Sequence, residues 1–176
     1  RLQEYKLRFL QALSPLMDDV IVVVNGQLHV EDINTLEPYG QVLTRDNKGY
    51  DTAAFREGIF ALGKDKLKDY DQLFLVNDTN IGPMRDLSQV CQEMTDKQLD
   101  FWGISFGEEQ EDVTKENPYG YIPKHLQSYF LVIEKLMLND DAFYEYWTHL
   151  TDTDSRDKAI GRHETRFTKD FSDLGY

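Results

Sequence analysis

Two polar segments hold most of the side chains in this chain that can do chemistry. Arg45-Asp46-Asn47-Lys48-Gly49-Tyr50-Asp51 combines cations, an amide, a glycine and an acid, and Asn77-Asp78-Thr79-Asn80 sets four oxygen-bearing side chains in a row before Gly82-Pro83. In the first segment Gly49 permits positive φ or close backbone approach, and a helix starting at Asp51 would expose N–H groups that favour anions. Arg45, Lys48 and Arg56 add positive charge nearby. An ordinary turn with Asp51 as a plain N-cap explains the same residues, because Asp is common at that position. In the second segment the carboxylate and amide oxygens suit Mg²⁺ or Mn²⁺ bridging a diphosphate, since hard cations prefer oxygen. Its competing reading is a solvated turn, for which Asn and Asp are equally suited.

Two further residues are candidates for proton transfer. His125 precedes an apolar strand pattern, and period-2 geometry places it on one side with Gln127 and Tyr129. Glu164 falls in an apolar helical stripe with Ile160, Phe167 and Phe171. A buried acid needs a partner or a task. A structural hydrogen bond for His125 and an ion pair for Glu164 are the plainer alternatives.

The elements that position these groups follow from periodicity. Leu2, Tyr5, Phe9, Leu13 and Leu16 recur at helical spacing and predict a first helix closing near Ser14-Pro15. Val20–Val24 reads as a fully buried strand ending in Asn25-Gly26. Strands are expected at 41–44, 72–76, 100–105 and 128–133. Helices are expected at 52–62, about 86–94, 141–150 and 157–174, and an acidic mobile loop at 108–116. Phe143, Tyr146, Trp147 and Leu150 read as core. Strands alternating with helices predict one α/β domain over 1–176, with a mainly parallel sheet covered on both faces.

Bulk properties narrow the function classes. The chain has 176 residues, 40% hydrophobic and 12% aromatic, as expected of a globular protein. A net charge of −13 without a basic stripe argues against nucleic-acid binding. An anionic ligand therefore needs a local cation, a helix N-terminus or a divalent metal. The single Cys91 excludes an internal disulfide framework, and four histidines with one cysteine make a structural zinc site a poor expectation. No secretory leader pattern opens the chain, and its longest strongly apolar run is too short to cross a bilayer.

Read together, Arg45–Asp51, Val76–Pro83, Asp100–Ile104 and His125–Phe130, with a weaker match at Ile160–Glu164, resemble the rhamnan synthesis protein F family of bacterial glycosyltransferases. Order and spacing agree over nearly the whole chain. The resemblance implies a GT-A-like three-layer α/β sandwich with a mainly parallel central sheet, here beginning after its first strand as a piece of a larger protein. It implies a deoxysugar donor, typically dTDP-L-rhamnose, and a lipid-linked glycan acceptor at the cytoplasmic face of the membrane. Peripheral membrane association would come through other parts of the full-length protein.

On that resemblance, donor binding is expected at Asn25, Arg45, Asn47, Gly49 and Asp51, with Asp78 and Asn80 at the diphosphate or at Mg²⁺ or Mn²⁺. Asp78 is the one expected metal ligand. The similar large inverting glycosyltransferase family carries an Asp-x-Asp motif at this place, where this chain has a single acid. Arg45, Arg85 and Lys124 are candidates to replace a metal. The base is expected to be His125 or Glu164. A non-catalytic nucleotide- or sugar-binding module within a larger cell-envelope enzyme is the competing expectation.

Overall fold

In the computed structural model, which describes residues 1–176, the chain opens with helix α1 (Glu4–Leu13), ended by a short 3₁₀ turn that holds Pro15. Strand β1 (Ile21–Asn25), helix α2 (Val30–Leu36) and strand β2 (Gln41–Arg45) follow. Helix α3 (Tyr50–Leu62) stops at Gly63, whose φ of 86° a side chain would resist. Then come α4 (Lys64–Leu67), β3 (Gln72–Val76) and α5 (Leu87–Thr95), the last capped by the Asp86 carboxylate accepting from Ser88 N at 2.9 Å.

Five short strands and a longer one come next: β4 (Phe101–Gly103), β5 (Phe106–Gly107), β6 (Gln110–Glu111), β7 (Tyr121–Ile122), β8 (His125–Leu126) and β9 (Phe130–Glu134) complete the strands. Helices α6 (Lys135–Asn139) and α7 (Asp141–His149) lead to α8 (Arg156–Ala159), a π-helical turn over Ile160–Glu164 and α9 (Phe167–Asp173). No helix is long and apolar enough to cross a membrane.

These elements form two compact units, Arg1–Asp46 with Asp78–Gln98, and Asn47–Asn77 with Leu99–Tyr176. In the first, β1 and β2 pair in parallel, with Asn25 opposite Arg45 at their carboxyl ends. The run read as a fully buried strand is only half buried there, because β1 has a single hydrogen-bonded neighbour.

In the second unit β9 lies between β3 and β4 and runs antiparallel to both. This corrects the expected GT-A-like architecture. The sheets are small and mostly antiparallel, with β5–β8 and β6–β7 as further antiparallel pairs, and no mainly parallel central sheet forms. Alternating strand and helix patterns suggested parallel crossovers. Instead, the chain reaches β9 through the short strands β5 to β8 rather than through a crossover helix, and it enters the sheet in the opposite direction.

The core belongs to this second unit. Val132 and Ile133 of β9 are 0% exposed, and Phe143 and Trp147 of α7 pack with Phe167 and Phe171 of α9. The 6.2 Å edge contact of Phe143 with Trp147 and the 4.7 Å tilted contact of Phe167 with Phe171 belong to one aromatic cluster. Trp102 is core too, its indole N–H donating to Glu134 Oε1 at 2.8 Å.

Helix 157–174 is broken, not continuous: α8 and α9 are separated by the π-turn, which closes when Thr165 N donates to Ile160 O at 3.0 Å. The 108–116 segment is likewise structured, since β6 pairs with β7.

Phe143→Ala should cost about 3–5 kcal/mol of unfolding free energy by urea denaturation. Leu136→Ala, at a side chain 77% exposed, should change it by less than about 0.5 kcal/mol.

Candidate functional site

A parallel pair brings both strand ends to one edge, where open α/β sheets place ligands. In the first unit Arg45 Nη1 donates to Asn25 Oδ1 at 2.6 Å, so two of the expected donor residues stand together. Gly26, at φ 104°, turns the chain back and donates its N–H to Arg45 O at 2.7 Å. In the same unit Asp78 forms an ion pair with Lys6 of α1, a partner that sequence reasoning did not name. That carboxylate holds the lysine above its ordinary pKa, chiefly by the hydrogen bond between them. Asn80 is exposed on the loop before the cis Gly82-Pro83 bond. Arg85, a candidate metal substitute, pairs with Glu93 at 2.9 Å.

In the second unit the start of α3 is tightly built. Gly49 caps the helix at φ 82°, and a Cβ on it would stand 2.7 Å from that of Ala53. Tyr50 follows at φ 55°, a left-handed conformation that bulky residues rarely take. The helix therefore starts one residue before the expected cap. Asp51 is inside its first turn, where a carboxylate suits the dipole, and Asp51 Oδ2 accepts from Asn77 Nδ2 at 3.0 Å. Asn47 and Lys48 are exposed just before it.

The segment Leu150–Thr153 ties this helix start to the π-turn. Gly49 N donates to Thr153 O at 3.1 Å, and Arg56 binds Leu150 O at 2.5 Å and also the Asp152 carboxylate. From the other side His163 Nε2 bonds Thr151 O at 2.9 Å. Burial, followed by the charges of Arg166, Arg162 and Arg56 against the opposing backbone bond, lowers the pKa of His163. Nothing in the sequence pattern announced this segment. The only local signal was the run of Asp152, Thr153, Asp154 and Ser155 ahead of a helix.

The two candidate bases occupy different surroundings. His125 is 6% exposed, with Nδ1 on Pro123 O at 2.7 Å and its ring against Gly107, where a Cβ would stand 2.7 Å from His125 Cε1. Its expected row exists in part: Ser105 Oγ bonds Gln127 Oε1 at 2.7 Å and Tyr129 Oη at 2.8 Å. Glu164 is half buried in the π-turn. The cations near it in sequence serve other acids, Arg162 reaching Glu116 at 2.6 Å and Arg166 reaching Asp170 at 2.7 Å.

The residues do not fit a protein-held divalent metal. Asp78, the one expected ligand, is bonded to a lysine, and no three His, Cys, Asp or Glu side chains gather where an ion could sit.

The model of a family described as rhamnan synthesis protein F matches residues 20–176. The chain is similar to an uncharacterized protein, y4gN, of Sinorhizobium fredii, with 28% identity over 160 residues and 89% of this chain covered. It spans 39% of that relative's length. No solved structure matches the chain significantly.

The lowered pKa of His163 sets a pH dependence. The unfolded imidazole binds its proton near its ordinary value of 6.5, whereas the folded one resists protonation. Stability is therefore full above pH 6.5 and falls as the pH drops through the unfolded and then the folded pKa. Urea unfolding at pH 7.5 and pH 5 should show this loss, and His163→Gln should reduce it.

Proposed function

This chain belongs to the rhamnan synthesis protein F family, and we propose on that premise that, within rhamnan synthesis, it is a glycosyltransferase. It moves a deoxysugar, L-rhamnose from dTDP-L-rhamnose, to a growing cell-surface polysaccharide. The observation that carries this reading is the family match over residues 20–176, which includes every residue assigned a role below. The acceptor is a lipid-linked glycan, presented at the inner face of the cell membrane.

The proposed reaction is one inverting displacement. The acceptor oxygen bonds to the anomeric carbon as the bond from that carbon to the diphosphate oxygen breaks. The electron pair leaves with dTDP, and the acceptor proton passes to a carboxylate. Catalysis then needs charge stabilisation at the leaving diphosphate and one base.

We assign the diphosphate charge to Arg45, oriented by Asn25. A guanidinium can contact a phosphate through two donors. In this reading the cation does the work of a metal, and Asp78 holds Lys6 instead of an ion. The base is Glu164, because its neighbouring cations are bound elsewhere, whereas the His125 ring is enclosed by Gly107 and Pro123.

A second reading, a non-catalytic nucleotide- or sugar-binding module of a larger enzyme, is favoured by the single acid at Asp78 and by its lysine partner. Transfer of radiolabelled rhamnose by the purified full-length protein separates the two. Turnover that survives EDTA and falls about 100-fold or more in Glu164→Gln is the expected result. Binding of dTDP without any transfer supports the module instead, and full activity of Glu164→Gln removes that residue as base.

A further inference from the structure

The π-turn is held from outside on both sides of Glu164, and the source of that hold is the loop at the tip of the β6–β7 pair. Asp112 organises this loop. Its Oδ1 accepts from Thr114 N at 3.0 Å and Thr114 Oγ1 at 2.5 Å, and its Oδ2 accepts from Asn117 N at 2.9 Å. Lys115, at φ 57°, makes the turn between them.

The folded loop meets the π-turn at three successive places. Gly161 packs so closely beneath it that a Cβ would collide with Thr114 Oγ1 and stand 2.9 Å from Glu116 Cβ. Arg162 places Nε and Nη2 on Glu116 Oε2 at 2.8 and 2.6 Å. Asn117, 7% exposed, donates its Nδ2 proton to Thr165 Oγ1 at 3.0 Å. Thr165 is the residue that closes the π-turn, since both its N and its Oγ1 donate to Ile160 O, at 3.0 and 2.9 Å. His163 is anchored separately on Thr151 O. Glu164 is the one polar side chain of the turn that joins none of these bonds.

We propose that the Asp112–Asn117 loop is a positioning device for the Glu164 carboxylate: it clasps the π-turn at Gly161, Arg162 and Thr165 and so fixes where that acid stands. This rests on the reading of Glu164 as the base. A π-turn inside a helix is a less favourable backbone than the α-helix it interrupts, and such turns recur at functional sites. Unfavourable backbone persists where surrounding contacts over-determine it. Here a close-packed glycine, an ion pair and a buried amide–hydroxyl bond all act within the six residues Ile160–Thr165, while the one acid among them is left for other use. The loop residues touch neither donor nor acceptor in this account; they act through Glu164.

The test uses the full-length protein in the labelled transfer assay, with Asn117→Ala, Glu116→Gln and the charge exchange Glu116→Arg with Arg162→Glu. The first two should lower kcat about tenfold or more, because small misplacement of a reacting group is costly. The donor KM should stay within about twofold, since donor binding and base position are separate terms. The acidic limb of the kcat–pH profile should move in the same variants, and the charge exchange should recover most of the kcat lost in Glu116→Gln.

Loss of turnover in Glu164→Gln with unchanged kcat and acidic limb in Asn117→Ala and Glu116→Gln would overturn the positioning role while sparing the base. Normal turnover in Glu164→Gln would overturn both.

Discussion

Strand β9 is the constraint on which the second unit depends. Phe130, Leu131, Val132 and Ile133 are all buried, and each such side chain contributes about 1.5–3 kcal/mol when removed from water. Its backbone is hydrogen-bonded on both edges, to β3 and to β4. From its two ends the order of the unit extends outward. At the far end Glu134 accepts from Gln72 Nε2 and Trp102 Nε1, each at 2.8 Å, tying all three strands together by side chains. At the near end Tyr129 O takes the N–H of Asn77 at 3.1 Å, and Asn77 in turn holds Asp51 in the first turn of α3. The hydrophobic strand thus sets the polar loop, and the loop sets the helix start.

A second layer of order comes from segments without regular structure. Leu150–Thr153 presents three backbone carbonyls, to Arg56, His163 and Gly49. Carbonyl acceptors are well suited to this task because each buried one must find a donor in any case. The same economy appears at Asp112, where a single carboxylate satisfies two backbone N–H groups and a hydroxyl. Those bonds, the Thr114 hydroxyl first, keep the Asp112 carboxyl below the usual carboxylate range.

How far the sequence could be read follows from the range of the forces involved. Helices α1 and α7 and strand β3 were legible because their apolar periodicity is local. The start of α5 near Asp86 was legible for the same reason. Strand direction was not, because β9 carries the same apolar pattern whichever way it enters the sheet. The break in the last helix was hidden as well: Ile160, Glu164, Phe167 and Phe171 keep a helical period, and only the approach of the Asp112 loop to Gly161 explains the altered turn. The acidic 108–116 segment looked mobile because its order comes from Asp112 and from pairing with β7, neither visible as periodicity. Asn25 and Arg45 were legible as strand ends, and the structure pairs them across β1 and β2. Lys6 was missed because its pairing with Asp78 spans a long stretch of chain.

On the proposed function the ligand is a nucleotide-linked sugar, met at the cation that ends the parallel strand pair. In a chain of net charge −13, an anionic donor has to be met by a local cation. Titration calorimetry of the full-length protein with dTDP in the presence of EDTA tests that claim most directly. Saturable one-site binding that weakens at least about tenfold in Arg45→Ala is the predicted result. Absence of binding until Mn²⁺ is added, or binding indifferent to Arg45→Ala, would contradict it.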